Sequence, residues 1–309
     1  MSGIKRTLAA AAAVAMAVAG PAVAVAGPAV TPLVSVDWLA DNLGGDGLTI
    51  IDLRSGSQGA AAYAAAHVPG AIRVDYPGAW RVDRDGVPGL LPETAALEAH
   101  LSALGVGADS SVVLVPAGTG STELGGATWV YFVLKYLGHD AVAILDGGAA
   151  AWAVAALPVE AGAGATPQPA RFTADVRPDI LATIDVVVAN LGTGTAIVDA
   201  RPPNQFTGEA KSGLVTRAGH IPGAVNIDNA TFYDAASNRL KPRDELAALV
   251  PPAVATADRV IVYCNTGHWS SINWFVMHEL LGLDQVDLYE GSMAEWSRSD
   301  HPVVTGTAG

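Results

Sequence analysis

The sequence predicts an α/β protein made of two copies of one unit, each a parallel sheet with helices on both faces. The first observation is an internal repeat, in which four blocks recur in the same order at offsets between 144 and 153 residues. The second is that each copy alternates short β-branched segments with longer amphipathic ones, which is typical of strands joined by crossover helices. The third is a Pro- and Gly-rich segment between the copies.

The matched blocks share motifs as well as spacing. They pair "TIIDLRS" at 49–55 with "AIVDARP" at 196–202, "AAAHVPGAIRVD" at 64–75 with "TRAGHIPGAVNID" at 216–228, "SVVLVPAGTG" at 111–120 with "RVIVYCNTGH" at 259–268, and "YLGHDAVAILDGGAAAWAVAALPV" at 136–159 with "LLGLDQVDLYEGSMAEWSRSDHPV" at 280–303. Because chance would not keep both order and spacing, the chain is predicted to be a tandem duplication.

Within each copy the elements follow one order. A short strand ends in Asp-x-Arg and leads to a His-x-Pro-Gly-Ala turn, after which a helix is predicted over 93–104 or 243–250. A buried apolar strand follows at 112–115 or 260–263, and then a helix and a last strand. Ligands of such sheets bind beyond the carboxyl ends of the strands, so the loop after 260–263 is the predicted place of any chemistry.

The two copies are predicted to be separate domains. The first covers 33–158 and the second covers 173–305. Between them, "VEAGAGATPQPARF" at 159–172 has no hydrophobic periodicity and is rich in Ala, Gly and Pro. That composition indicates an extended linker.

Residues 1–26 are predicted to be a signal peptide. Lys5 and Arg6 precede a run of small apolar residues, and Ala24 and Ala26 form an A-x-A cleavage motif. The apolar run is short and weakly hydrophobic for a membrane span. We therefore expect cleavage, export to the periplasm or out of the cell, and no stable membrane insertion afterwards. Retention as an anchor is the alternative.

The mature chain left by this cleavage is strongly acidic. The full sequence has 17 Lys and Arg against 30 Asp and Glu, and loss of Lys5 and Arg6 leaves 15 basic side chains and a formal net charge of −15. Such a surface repels nucleic acid and anionic lipid, so neither is an expected partner. The sequence has one cysteine and therefore forms no internal disulfide.

That cysteine, Cys264, lies between the predicted buried strand and a predicted helix. If the helix begins near Ser270 or Ser271, the amides of the turn lack helical acceptors and can form a nest of donors around the sulfur, aided by the helix dipole. Such a nest favours the thiolate. The alternative is a cysteine buried as a small hydrophobe. The matching residue of the first copy is Pro116, which supplies neither thiol nor amide hydrogen, so one working site beside one support domain is predicted.

These segments resemble the two-domain rhodanese-like sulfurtransferases, which include the thiosulfate and 3-mercaptopyruvate sulfurtransferases. The likeness covers nearly all of the mature chain and is carried by "VDARPPNQFTG", "RAGHIPGAVNID", "VIVYCNTGHWSS" and "LYEGSMAEWSRSDHPV", with "AHVPGAIRVD" and "AILDGGAAAW" in the first copy. It implies tandem rhodanese-like domains, each a parallel sheet of about five strands with helices on both faces. It also implies an active cysteine in the C-terminal domain and no metal or organic cofactor.

The resemblance further implies a two-step reaction. The Cys264 thiolate takes sulfane sulfur from a small anionic donor and passes it, as a persulfide, to cyanide or a thiol acceptor. Thiosulfate is the expected donor. The alternatives are a 3-mercaptopyruvate sulfurtransferase and an exported sulfur carrier or binding module that acts on a protein partner.

The predicted site contains more than the catalytic Cys264. The predicted substrate-binding residues are one arginine at a strand end and the six residues after the cysteine: Arg201, Asn265, Thr266, Gly267, His268, Trp269 and Ser270. We expect His268 to be partly cationic and Trp269 to line the site, whereas for Arg201 a structural ion pair is an equal alternative. The family's second substrate-binding arginine falls on Gln205, which removes a bidentate grip on a carboxylate and favours thiosulfate over mercaptopyruvate.

A phosphatase is a less favoured interpretation of the cysteine loop. Phosphatases of related fold need an arginine at the end of the cysteine loop, where this chain has Ser270. The aspartates of the Asp-x-Arg motifs and the histidines of the His-x-Pro-Gly-Ala turns recur in both copies, which favours structural roles for Asp199, His67 and His220. Three tryptophans are expected to be core residues: Trp152, Trp274 and Trp296.

Overall fold

The computed structural model describes residues 26–307. The predicted signal peptide therefore lies outside the described residues, except for its last residue. Within 26–307, no helix is long and apolar enough to cross a membrane.

The first repeat alternates strands and helices as predicted. Its elements in chain order are β1 (Leu33–Val34), α1 (Val36–Asn42), β2 (Leu48–Asp52), α2 (Gly56–Ala65), β3 (Ile72–Arg73), a 3₁₀ turn (Gly78–Trp80), β4 (Val82–Arg84), β5 (Val87–Leu90), α3 (Thr94–Ala103), β6 (Ser111–Val115), α4 (Ser121–Tyr136), β7 (Val142–Leu145) and α5 (Gly148–Val154).

The second repeat follows the same order. Its elements are a 3₁₀ turn (Pro178–Ile180), β8 (Leu181–Ala182), α6 (Ile184–Asn190), β9 (Ala196–Asp199), α7 (Pro203–Thr207), β10 (Val225–Asn226), a 3₁₀ turn (Asn229–Phe232), β11 (Tyr233–Asp234), β12 (Arg239–Leu240), α8 (Arg243–Leu249), α9 (Pro252–Ala255), β13 (Val260–Tyr263), α10 (Ser270–Trp274), a π-helical continuation (Phe275–Leu280), β14 (Val286–Tyr289) and α11 (Ser292–Trp296).

The duplication extends to local capping. The Ser35 side chain accepts a hydrogen bond from the Trp38 amide at the start of α1, and the Thr183 side chain accepts one from the Val186 amide at the start of α6. A hydroxyl at this position satisfies one of the amides that have no acceptor in the first turn. Both repeats therefore begin their first helix by the same device.

The two repeats form the same sheet. Among the described residues, each main sheet has five strands, ordered β1-β7-β6-β2-β3 in the first repeat and β8-β14-β13-β9-β10 in the second. Neighbouring strands in both sheets are parallel. The central strands β6 and β13 are buried at every residue, as expected for sheets covered on both faces. The predicted fold class is confirmed.

The sheet topology places a crevice at Cys264. In the second sheet, β10 lies on one side of β9 and β13 on the other, so the order in which strands are added to the sheet reverses at β9. Tyr263 at the end of β13 pairs with Asp199 at the end of β9. The residues after these strands, Arg201 and Cys264, therefore leave the sheet side by side, at the kind of switch point where parallel sheets bind ligands.

The repeats share one apolar core. Helix α4 of the first repeat packs against α10 of the second. Phe132 meets Trp274 edge to face with ring centroids 5.0 Å apart, and Tyr131 meets Phe275 in the same way at 4.8 Å. The helix that follows the cysteine loop is therefore held against the first repeat. The three tryptophans that were predicted to be core residues are buried, which confirms that prediction: Trp152, Trp274 and Trp296.

The predicted boundaries can be compared with the observed elements. The helices expected over 93–104 and 243–250 span Thr94–Ala103 and Arg243–Leu249. Residues 159–172 form neither helix nor strand. The backbone of Glu160 bonds that of His67 in both directions at 2.9 Å, which fastens the start of this segment to the first repeat. The exact domain limits stay a prediction.

Candidate active site

The loop after Cys264 has the form that the sequence predicts. Cys264 follows β13 directly, and α10 begins at Ser270. Five loop amides have no hydrogen-bond acceptor within residues 26–307: those of Asn265, Thr266, His268, Trp269 and Ser270. Unpaired amides grouped in one turn can stabilise an anionic sulfur or another anion.

Gly267 has a different role from its neighbours. Its amide donates to Ser292 Oγ at 3.0 Å and is therefore engaged within the protein. Its φ of +83° lies in the left-handed region, and a Cβ atom there would lie 2.7 Å from Cζ3 of Trp129. Glycine thus allows both the turn and the close approach of the first repeat. The structure supports a shaping role for Gly267.

Ser292 is a functional residue that the sequence reasoning missed. Its Oγ accepts from the amides of Cys264 and Gly267, both at 3.0 Å, and donates to the Tyr289 carbonyl at 2.8 Å. Ser292 has a φ of +49°, and its repeat counterpart is Gly148, with a φ of +58°. A serine that replaces a turn glycine only in the cysteine-bearing copy was the available signal. It ties the two ends of the loop together.

Cys264 lies in a polar but closely covered environment. Its side chain is buried, with 1% of the residue exposed. The Cys264 amide donates to the Ser292 hydroxyl, and the side chains of Arg201 and Tyr76 lie close enough to interact electrostatically with Cys264, so polar groups adjoin it. Because so little of the residue is exposed, a donor reaches the sulfur only after the covering groups move.

Arg201 forms a buried ion pair. It donates to the Asp199 carboxylate from Nε and Nη2, the latter at 2.6 Å, and Nη2 also donates to the Gly219 carbonyl at 2.7 Å. Arg54 makes the same bidentate pair with Asp52 in the first repeat. The recurrence favours the structural alternative for Arg201. Its Nη1, buried and without a partner among the described residues, is the atom left to contact an anion.

Asn265 and Gln205 face each other across the crevice. Asn265 Nδ2 donates to Gln205 Oε1 at 2.9 Å, and Asn265 Oδ1 is buried without a partner in the described part of the chain. Gln205 therefore reaches the cysteine loop from α7. The position that carries the second arginine in the resembling family is thus part of the crevice in this chain.

The remaining predicted residues lie in the same loop. The Ser270 hydroxyl donates to the Gly267 carbonyl at 3.1 Å and is buried, so it helps to close the turn. Thr266 and Trp269 are half-buried. Their contacts with a substrate stay a prediction.

The repeated histidines are structural, as expected. His220 Nδ1 bonds the Phe206 carbonyl at 2.8 Å and its ring stacks on Phe206 with centroids 3.7 Å apart. His67 makes the same pair of contacts with Tyr63, at 2.8 and 3.9 Å. Each histidine thereby fixes the tight turn that contains it.

The expectation of a partly cationic His268 is wrong. Burial, together with the nearby Arg81 guanidinium, lowers the pKa of His268 to about 4. Nε2 lies 2.8 Å from the Thr122 carbonyl, which can only accept, so Nε2 carries the proton. Nδ1 then accepts from the Tyr76 hydroxyl at 2.8 Å. His268 is a neutral link between the cysteine loop and the first repeat.

A cavity of about 440 Å³ lies where the first repeat has no cysteine. Its lining includes Arg54 and Pro116, the counterparts of Arg201 and Cys264, and also His268 from the second repeat. Cys264 does not line it. The first repeat thus keeps a crevice at the place that matches the cysteine site of the second repeat. His268, which belongs to the cysteine loop, forms part of the wall of this crevice.

Comparison with known proteins assigns the family. Residues 35–155 and 183–299 each match the model of the rhodanese-like domain. The chain belongs to the rhodanese-like family. The predicted resemblance is confirmed, and each match begins directly after the first strand of one sheet and includes the other four strands of that sheet.

Curated relatives of this rhodanese-like protein carry the names of sulfurtransferases. It is 34% identical over 282 residues to a Synechococcus elongatus protein named "Putative thiosulfate sulfurtransferase", covering 88% of this chain and 85% of the relative. It is 32% identical over 287 residues to the 3-mercaptopyruvate sulfurtransferase of Escherichia coli, covering 88% of this chain and 98% of the relative. The crystal structure of a 3-mercaptopyruvate sulfotransferase from Escherichia coli has a TM-score of 0.69 and 29% identity over 85% of this chain and 99% of that one. By family, this protein is a sulfurtransferase.

The neutral state of His268 predicts a pH effect on stability. An unperturbed histidine has a pKa of about 6.5, so between that pH and about 4 the unfolded chain binds a proton that the folded protein does not. The contribution of His268 to stability is therefore present near pH 7 and declines as the pH falls through this window. In denaturant unfolding, His268→Gln should be less stable than the wild type at pH 7, and the gap should narrow at pH 5. A gap that is the same at both pH values would contradict this assignment.

Proposed function

We propose that this rhodanese-like protein moves sulfane sulfur from thiosulfate to cyanide or a thiol through a persulfide on Cys264. The observation that carries the proposal is the single cysteine at the end of the central strand β13, in a loop with five amides that have no acceptor in the described part of the chain. A thiolate in such a loop is both nucleophilic and stabilised.

The chemistry balances without a redox partner. The Cys264 thiolate attacks the outer sulfur of thiosulfate, a new S–S bond forms, and the S–S bond of the donor breaks, with its electron pair leaving on sulfite. The persulfide keeps one negative charge. Cyanide then attacks the outer sulfur, thiocyanate leaves, and the thiolate returns. Both enzyme forms are anionic, so the same loop amides serve both steps.

The direct experiment is a steady-state assay of thiocyanate formed from thiosulfate and cyanide. The proposal predicts turnover that saturates with thiosulfate and releases sulfite in equal amount. Absence of turnover with cyanide and with dithiol acceptors alike would contradict it.

Donor preference follows from Gln205. An arginine at this position would offer a carboxylate two parallel donors, whereas the glutamine side chain is neutral and its Oε1 already accepts from Asn265. Thiosulfate has no carboxylate to be held. We therefore place thiosulfate ahead of 3-mercaptopyruvate as the donor.

Gln205→Arg is expected to improve the use of 3-mercaptopyruvate relative to thiosulfate by about tenfold in kcat/KM, the value of one added charged hydrogen bond. The ratio of the two kcat/KM values is the measurement, because it cancels losses common to both donors. Gln58→Arg, the matching change in the first repeat, is the control. A ratio unchanged in Gln205→Arg would remove the argument for thiosulfate.

The second candidate is a 3-mercaptopyruvate sulfurtransferase. It is favoured by the relative from Escherichia coli, which is matched over 98% of its length. The physiological acceptor can also be a protein, and an acidic surface suits a basic partner.

The proposed place of action is outside the cytoplasm. The charged start, apolar run and Ala24-x-Ala26 motif support cleavage and export. Sequencing the N-terminus of the protein isolated from its own host checks this, since cleavage predicts a chain that starts at Gly27.

A further inference from the structure

The first repeat reaches the cysteine loop through one arginine. Arg81 follows the 3₁₀ turn before β4, and its Nη2 donates to the Thr266 carbonyl of the loop. Nε and Nη2 also donate to the Gly89 carbonyl of β5, and Nη1 donates to the Tyr76 hydroxyl at 2.9 Å. Its hydrogen bonds all go to protein acceptors, so Arg81 is held in a fixed position.

The contact with Thr266 fixes one peptide group of the loop. In a trans peptide the carbonyl and the next amide point in opposite directions. The carbonyl of the Thr266–Gly267 peptide meets Arg81, and the amide on its other side meets Ser292 Oγ at 3.0 Å. The peptide is therefore held between a residue of the first repeat and a residue of the second.

Trp129 completes the contact. The Arg81 guanidinium lies over its ring, 3.9 Å from the centroid, and the edge of the same ring lies where a side chain at Gly267 would be. A guanidinium stacked on an indole is favourable and is held in a defined plane. Arg81 and Trp129 together form a rigid wall against the cysteine loop.

Each repeat contacts the other through a two-stranded hairpin, and the two hairpins make different contacts. Hairpin β4–β5 contacts the second repeat, where the Leu91 amide just after it donates to Glu290. Hairpin β11–β12 contacts the first repeat, where Arg239 pairs with Asp146 at 3.5 Å. Arg239 thus meets a carboxylate, whereas Arg81 meets the backbone carbonyl of the loop that carries the cysteine. Of these two arginines, Arg81 is therefore the one that contacts the cysteine loop.

We infer that Arg81 is a positioning residue for the Cys264 loop and that the first repeat, which has no cysteine, takes part in catalysis through it. The inference rests on the proposed function. Arg81 fixes the Thr266–Gly267 peptide, and this sets the direction of the neighbouring amides that stabilise the anionic sulfur. A positive charge beside the loop adds to the same effect.

The test compares Arg81→Met and Arg81→Lys with the matched control Arg84→Met, from the same hairpin. Arg84 bonds the Leu91 carbonyl and pairs with Glu93 within the first repeat. The rate of persulfide formation is followed by rapid-quench intact mass over a range of thiosulfate concentrations. Alkylation of Cys264 by iodoacetamide is followed in parallel, because it reports on the thiolate without requiring sulfur transfer. Thermal unfolding of each variant shows whether it is folded.

Arg81→Met is expected to lower the maximum rate of persulfide formation by about 10- to 100-fold, the effect of a misplaced catalytic loop, with little change in the half-saturating thiosulfate concentration. Alkylation should slow in the same variant. Arg81→Lys should recover only part of both losses, because an ammonium cannot serve all the acceptors of a planar fork. Arg84→Met should match the wild type.

Two outcomes would overturn the inference. One is a wild-type maximum rate in folded Arg81→Met or, if that variant does not fold, in Arg81→Lys. The other is a raised half-saturating concentration with an unchanged maximum rate, which would make Arg81 a substrate-binding residue. If the wild-type protein forms no persulfide, the proposed function is wrong. The alkylation rates of Cys264 in the wild type and in Arg81→Met then test the role of Arg81 by themselves.

Discussion

Cys264→Ser is expected to abolish thiocyanate formation, with a loss of about 10⁴-fold or more in kcat/KM. A serine hydroxyl is not ionised near neutral pH and cannot hold a transferable sulfur as a persulfide. The second repeat has no other thiol, and Pro116 occupies the matching place in the first, so nothing in the chain can substitute. Thiocyanate release under saturating thiosulfate is the measurement.

The serine variant should remain folded, which makes the result interpretable. Serine nearly matches cysteine in volume, and the Cys264 backbone keeps its bonds to Ser292 and Met293. Thermal unfolding close to that of the wild type is the control. Sulfur transfer that survives in a folded Cys264→Ser protein would remove the cysteine from the mechanism.

Ser292→Ala is expected to damage both activity and stability. The Ser292 hydroxyl is the acceptor for the amides of Cys264 and Gly267, and all three residues are buried. Without it two buried amides lose their partner, which costs about 2–6 kcal/mol of unfolding free energy at about 1–3 kcal/mol for each. The loop also loses its tie to α11, so persulfide formation should slow by about 10- to 100-fold.

The matched control for Ser292→Ala is Ser297→Ala. Ser297 is also buried, and its hydroxyl accepts from the Thr216 amide at 3.0 Å, but it does not touch the cysteine loop. Ser297→Ala should lose stability and keep its rate of persulfide formation. Denaturant unfolding and rapid-quench mass separate the two effects. Equal rates in Ser292→Ala and Ser297→Ala would show that the hydroxyl stabilises the fold without organising the site.

The fold could be predicted because its signals are local or repeated. The order of strands and helices, the buried strands β6 and β13 and the start of α10 at Ser270 all follow from hydrophobic pattern and duplication. Cys264 could be found for the same reason, since it stands at the end of a central strand. The resemblance then supplied the number of strands and the chemistry.

The rest of the site depends on how the two repeats dock. Arg81 meets Thr266 across 185 positions of sequence and Tyr76 meets His268 across 192, and no local pattern reports such pairs. The charge of His268 was mispredicted because burial and the Arg81 guanidinium both come from that docking. Ser292 was detectable only by comparison with Gly148 in the other copy.

The sequence left two possible roles for Arg201. Its motif fits both an anion contact and an ion pair with Asp199. The structure places the side chain in a completely buried ion pair, in which Nη1 has no hydrogen-bond partner among the described residues. The same pair between Arg54 and Asp52, in a repeat without a cysteine, supports the structural role.

The most direct test is the intact mass of the purified protein after incubation with thiosulfate alone. We expect a gain of one sulfur atom on the wild type, its loss when cyanide is added, and no gain on Cys264→Ser. A wild-type mass that stays unchanged with both thiosulfate and 3-mercaptopyruvate would contradict the claim that Cys264 carries the transferred sulfur.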